Sequence, residues 1–141
     1  MKTALALLFG LLLVSGCASA GRSGPDGPAP PATLAGTSGL AVAVAGRSTV
    51  AGREPSLAFD ATQVRGSGGC NQFGGEYDYD GGRLSFGEMP MTLMGCDEPI
   101  GSLETVFLKV LGGGVTVSVD DGGRLLLEGP GGQALLVPAA G

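Results

Sequence analysis

Three observations predict a mainly β fold of the α+β class with one packed helix. Short apolar–polar alternations recur between residues 39 and 137, separated by glycine-rich turns. A single stretch carries its apolar residues at helical spacing. The part able to fold is about 100 residues, enough for one hydrophobic core.

Residues 39–44 are small and apolar and read as a first strand. Residues 56–60 alternate and give a second. Residues 63–66 form a third, ending in a bulge or tight bend at Ser67-Gly68-Gly69-Cys70. Residues 73–79 and 83–86 flank Asp80-Gly81-Gly82, a strong hairpin signal. The helix spans residues 103–111, where Leu103, Val106, Phe107, Val110 and Leu111 share one face. That stripe is core, because a lone helix on a sheet must bury it. Ser102 or Gly101 caps the start and Gly112 the end, with Glu104 and Lys109 placed to suit the helix dipole. Residues 115–119, 124–128 and 133–137 are then three antiparallel strands joined by short turns. The 28 glycines follow no period, which excludes a collagen-like chain.

The N-terminus is of another kind. Lys2 precedes an apolar run over residues 4–14, and small residues lead to a cysteine in Val14-Ser15-Gly16-Cys17. This is the layout of a secretory signal peptide, and it looks like a bacterial lipobox. The expectation is a lipoprotein signal peptide at residues 1–16, cut before Cys17, which then carries lipid. The run is about 11 residues, where a spanning helix needs about 20. Residues 17–36 read as the lipidated cysteine and a Pro/Gly/Ala linker unable to bury a core. The folded domain is expected at residues 37–138.

Charge and composition narrow the function. The net charge is −5, and loss of Lys2 with the leader makes it −6. An acidic domain without a basic stripe is a poor partner for nucleic acid or an anionic membrane surface. Histidine is absent, which removes Ser-His-Asp and Cys-His nucleophiles and His-containing zinc sites. Two cysteines remain after Cys17. In an oxidising envelope compartment Cys70 and Cys96 are expected to form a disulfide, contributing about 3.5 kcal/mol; two free buried thiols are the alternative.

Other polar clusters have ordinary readings. Glu76, Asp78 and Asp80 share one face of a strand, with Tyr77 and Tyr79 on the other. A solvated face accounts for them better than a cation site or an acid–base pair. Asp97-Glu98 and Asp120-Asp121 read as exposed turn carboxylates. Gly66-Ser67-Gly68-Gly69 lacks the Gly-Lys-Ser/Thr of a phosphate loop. Met89, Met91 and Met94 read as core filling, with an adaptable contact surface or copper(I) binding as alternatives. Asn71 reads as a hydrogen-bonding turn residue.

Gly69-Cys70-Asn71-Gln72-Phe73-Gly74-Gly75-Glu76-Tyr77 resembles the Gly-Cys-Asn-x-Phe-x-Gly-x-Tyr signature of the META/HslJ domain family. Thr92-Leu93-Met94-Gly95-Cys96 resembles its Thr-x-Met-x-Cys segment, and Glu98-Pro99 with Glu104, Phe107, Leu108 and Leu111 resembles its helix. Arg124-Leu125-Leu126-Leu127 is similar to its terminal strand pair. The chain departs from the family in having no tryptophan, where a first-strand Trp is usual, and in Gln72 within the cysteine motif. The resemblance implies a small antiparallel sheet, curled or forming an open barrel, with one packed helix. It implies structural roles for Gly69, Asn71, Phe73, Thr92 and Met94, and a stress-associated envelope lipoprotein.

The expected function is therefore non-enzymatic. The chain reads as an envelope lipoprotein held on a membrane through lipid on Cys17, active in stress tolerance or envelope maintenance by binding an envelope protein. No cofactor or metal is expected. The alternative is a carrier of an apolar ligand or lipid in the curled sheet. A hydrolase using Glu76 and Asp78 is a third and weaker reading. Ala18 after Cys17, by resemblance to Gram-negative lipoproteins, places the anchor in the outer membrane, facing the periplasm.

Overall fold

The computed structural model describes residues 29–140. The expected signal peptide, Cys17 and the expected linker as far as residue 28 lie outside the described residues. Within them the elements run β1 (Ser38–Val44), β2 (Arg47–Ser48), β3 (Ser56–Phe59), β4 (Gln63–Ser67), β5 (Gln72–Asp80), β6 (Arg83–Phe86), α1 (Ile100–Leu111), β7 (Val115–Val119), β8 (Leu125–Gly129) and β9 (Gly132–Pro138).

Sequential strands pair antiparallel from β3 to β9, and β1 lies between β3 and β9. The β1–β9 pairing runs from Gly39↔Pro138 to Val44↔Ala134, with a register shift at Ala41/Ala43. The sheet therefore goes beyond the expected curl and closes as an eight-stranded barrel, with β2 a flap on the end of β1. Closure leaves neither edge of the sheet open, and the bulge adds the twist that closure needs. The β5–β6 hairpin joins Asp80 to Arg83 through Gly81 and Gly82, both at positive φ (54° and 88°), as a two-residue type I′ turn requires.

An eight-stranded barrel has an interior just wide enough for side chains. Leu57, Val64, Leu84, Val117, Leu127 and Leu136 fill it, each buried. Helix α1 covers one end. Its Phe107, Val110 and Leu111 join the same core, and the ring of Phe107 lies 6.5 Å from that of Phe73. The Lys109 carbonyl accepts the Gly131 N–H at 3.1 Å, fastening the helix to the β8–β9 turn.

Two expectations need correction. Helix α1 starts at Ile100, not Leu103, and its start has no side-chain cap from Ser102 or Gly101. The Glu98 carboxylate instead accepts the Ser102 N–H at 3.3 Å. The linker reading also runs too far. Leu34 is 1% exposed and sits in the core. The Ala29 carbonyl accepts the Val119 N–H (2.7 Å), the Pro31 carbonyl accepts the Tyr79 hydroxyl (2.6 Å), and the Gly36 N–H reaches the Phe59 carbonyl (2.8 Å). Residues 29–36 thus form a strap across the barrel mouth opposite α1. A leucine among prolines and alanines supplies the apolar plug that an open mouth needs.

Of the carboxylates read as exposed turn groups, Asp120 is half-buried and bonded within its turn, and Asp60, expected as the end of a strand, holds a turn in the same way. Asp60 accepts the Gln63 and Thr62 N–H groups, and Asp120 accepts Arg124 side-chain and backbone donors. Both carboxyls are held below their ordinary range by these bonds.

Candidate functional site

The cysteine motifs meet at the α1 end of the barrel. Cys70, just before β5, is bonded to Cys96, with Cα atoms 6.2 Å apart. The bond ties the start of β5 to the long loop of residues 87–99. Asn71 fixes the same loop from within. It is 4% exposed, and its Oδ1 accepts the Met94 N–H at 2.6 Å and the Thr92 hydroxyl at 2.9 Å. Its Nδ2 donates to the Met94 carbonyl at 3.2 Å and to Glu104 Oε1 at 2.6 Å. Thr92 Oγ1 in turn accepts the Gln72 N–H at 3.0 Å. The position needs an amide: aspartate would lose both donors and set a second acid against Glu104.

Glu104 is the residue the sequence reading misplaced. It is not at the helix dipole's positive end but in the second turn, 7% exposed. Its Oε2 accepts the Asn71 N–H at 2.6 Å and the Cys70 N–H at 3.3 Å, while Oε1 takes the Asn71 side chain. The signal was available: Glu104 stands three residues before Phe107 and seven before Leu111, inside the buried stripe. The glycine run has the same explanation. A Cβ at Gly68 would collide with the Glu104 side chain, and Gly69 has φ 104° directly over the Arg53 carbonyl. Backbone sterics make this bend, as the sequence reading held.

Cys70, Cys96 and Glu104 bring their ligand atoms within 4.8 Å of one another. They do not fit a metal ion, because the sulfurs are bonded to each other and the Glu104 oxygens are filled by three donors. No buried side-chain nitrogen or oxygen among the described residues lacks a partner. The network is closed, and what it offers outward is shape. Leu93 is 89% exposed and Met94 59% exposed, on a loop whose backbone is held on both sides. Met89 and Met91 pack against the core as read, and Met94 does not. Phe73 sits in the core, while Glu76, Asp78 and Asp80 are exposed on the outer face of β5. Tyr77 and Tyr79 are half-buried, and burial raises both phenols above their ordinary value.

A META domain model matches residues 32–140. The chain belongs to the META domain family. The match takes in the strap from residue 32, the barrel and α1, so this META domain begins before the expected boundary at residue 37. Two solved structures share the architecture. The chain is similar to one titled "NMR structure of the protein from Burkholderia xenovorans", with 25% identity, a TM-score of 0.61, and coverage of 77% of this chain and 85% of that one. It is also similar to a second, titled "NMR structure of the protein", at 24% identity and a TM-score of 0.64, covering 73% of this chain and 89% of that one. No curated protein matches the chain at a significant level.

At the mouth opposite this site, a cleft of about 430 Å³ opens between the strap and the barrel rim, lined by Leu34, Leu57, Phe59, Leu125 and Leu136 among others. The barrel interior beyond it is filled.

Proposed function

We propose that this META domain is the binding module of a non-enzymatic lipoprotein, anchored in the bacterial envelope through Cys17 and serving stress tolerance or envelope maintenance by docking an envelope protein. The observation that carries this reading is the Leu93–Met94 knob. Two large apolar side chains face solvent at the α1 end, on a backbone fixed by Asn71 and the Cys70–Cys96 bond. A preordered apolar anchor loses little entropy on docking, which is the economy of a binding surface. The strap enters at the opposite mouth. A tether running to Cys17 from there leaves the knob at the end of the barrel far from the anchor, open to a periplasmic partner.

A photoreactive residue at position 93 is expected to crosslink one envelope protein in cells, and the same residue at Asp78 is not. Equal labelling at both positions would remove the knob from the account. Cys17→Ser is expected to move the chain from the membrane to the soluble fraction; retention in the membrane would count against the anchor.

The mouth cleft favours a second reading, the carriage of an apolar ligand. About 430 Å³ lies within the size range of small-molecule sites. Because the interior is packed, such a ligand is confined to the mouth. Native mass spectrometry of the gently purified chain is expected to show a co-purifying lipid if this reading holds, and a bare mass if it does not.

A further inference from the structure

The outer wall of the barrel is two-sided. On β4 and β5 the outward positions include Arg65, Glu76, Asp78 and Asp80, all exposed. On β8, β9 and β1, which are neighbours, the central ones are apolar, with Glu128, Gln133 and Ser38 at the ends. Leu40 and Val42 on β1 are 37% and 39% exposed. Leu135 and Val137 on β9 and Leu126 on β8 are half-buried. Their chain neighbours Ala41, Ala134, Leu136 and Leu127 point inward and are buried, so these five side chains are outside. Registration makes them contiguous: Leu126 faces Leu135, and Val137 faces Leu40. No charge interrupts the stripe. Glu128, bonded to Gln133, closes it toward α1.

A sheet that shows apolar residues on both faces is covered on both. We infer that the outer wall of β8, β9 and β1 rests on the lipid bilayer. This rests on the anchored-lipoprotein reading and extends it to how the barrel lies. The chain outside the barrel supplies the reason for choosing lipid. Ala29 is bonded to Val119, at the end of the strand beside β8. Cys17 lies 12 residues upstream, a reach of at most about 40 Å. Tethering that short makes contact with the bilayer an intramolecular event, so even a small apolar stripe is driven onto it. The charge pattern agrees, because the acidic strand β5 is on another side of the barrel, away from anionic headgroups. A second copy is a worse occupant. A stable dimer needs about 800 Å² from each partner, some 20–30 residues, and five mostly half-buried side chains fall short of that.

The chain has no tryptophan, so an introduced one reports alone. The full chain carrying Val42→Trp is purified from the envelope, its acylation is read by mass, and it is reconstituted into phosphatidylethanolamine–phosphatidylglycerol vesicles with or without brominated acyl chains. Emission is expected to fall about twofold with bromine, as for a face seated at the headgroup–acyl boundary. Asp78→Trp is expected to be unaffected, and Leu40→Asp added to Val42→Trp to restore emission. Leu40→Trp is a second reporter on the same wall if Val42→Trp fails to fold by circular dichroism. A lipidated chain whose wall reporters are unquenched overturns the inference and leaves the anchor standing. A blue-shifted but unquenched reporter means that a second copy or another protein covers the wall, and overturns it too. A mass without acyl groups overturns the anchor and this inference together.

Discussion

Replacing Glu104 with alanine is expected to lower the free energy of unfolding by about 3–5 kcal/mol, read from urea denaturation. The side chain satisfies two backbone N–H groups and the Asn71 amide, and it does so where water is excluded. Each buried donor left without a partner costs about 1–3 kcal/mol, and the three act on one short stretch of chain. Glu104→Gln keeps the shape but turns one acceptor into a donor facing donors, so it is expected to cost less, about 1–3 kcal/mol. A loss below about 1 kcal/mol for the alanine variant would mean that water replaces the carboxylate, and that the network is not what holds the loop.

Replacing Cys70 and Cys96 together with alanine is expected to remove about 3.5 kcal/mol, the loop-closure value for a 26-residue separation. Against the 5–15 kcal/mol typical of such domains this is a large share, and the variant should show it as a lower urea midpoint. The loop is not expected to detach, because Asn71 holds Met94 independently of the sulfurs. Hydrogen exchange at the Met94 amide separates the two restraints. It should stay protected without the disulfide and lose protection in Asn71→Ala. The paired variants should be non-additive by about 0.5–3 kcal/mol, since Cys70 and Asn71 are adjacent and both donate to Glu104.

Much of this was legible from local pattern. The strands around Asp80-Gly81-Gly82 and the run from Val115 to Val137 follow from alternation and turn chemistry, which act over a few residues. The helix follows from its stripe. The cysteine pair was legible from its count, together with the envelope compartment expected from the N-terminus. What was not legible is long-range. The β1–β9 pairing that closes the barrel leaves no trace at either strand. Leu34 is a single apolar residue in a segment whose composition describes a linker. Glu104 looks like any helical glutamate until Asn71, 33 residues away, brings its donors to it. Leu125–Leu127 and Ala134–Val137 are unbroken apolar runs whose two-faced character went unread, and only the pairing of Val137 with Leu40 makes them one surface with β1.

The position of β1 has a consequence for how the protein is made. Its neighbours in the barrel are β3 and the last strand of the fold, β9, and the longer pairing is with β9, so the barrel cannot seal until β9 has emerged. Pairing ends this far apart in sequence is entropically late and slow. A chain threaded through an export channel from its N-terminus would present β1 first and hold one of its edges unpaired throughout. Closure would then wait for residue 138 to cross, keeping the polypeptide extensible for as long as it is in transit and completing it only on the far side.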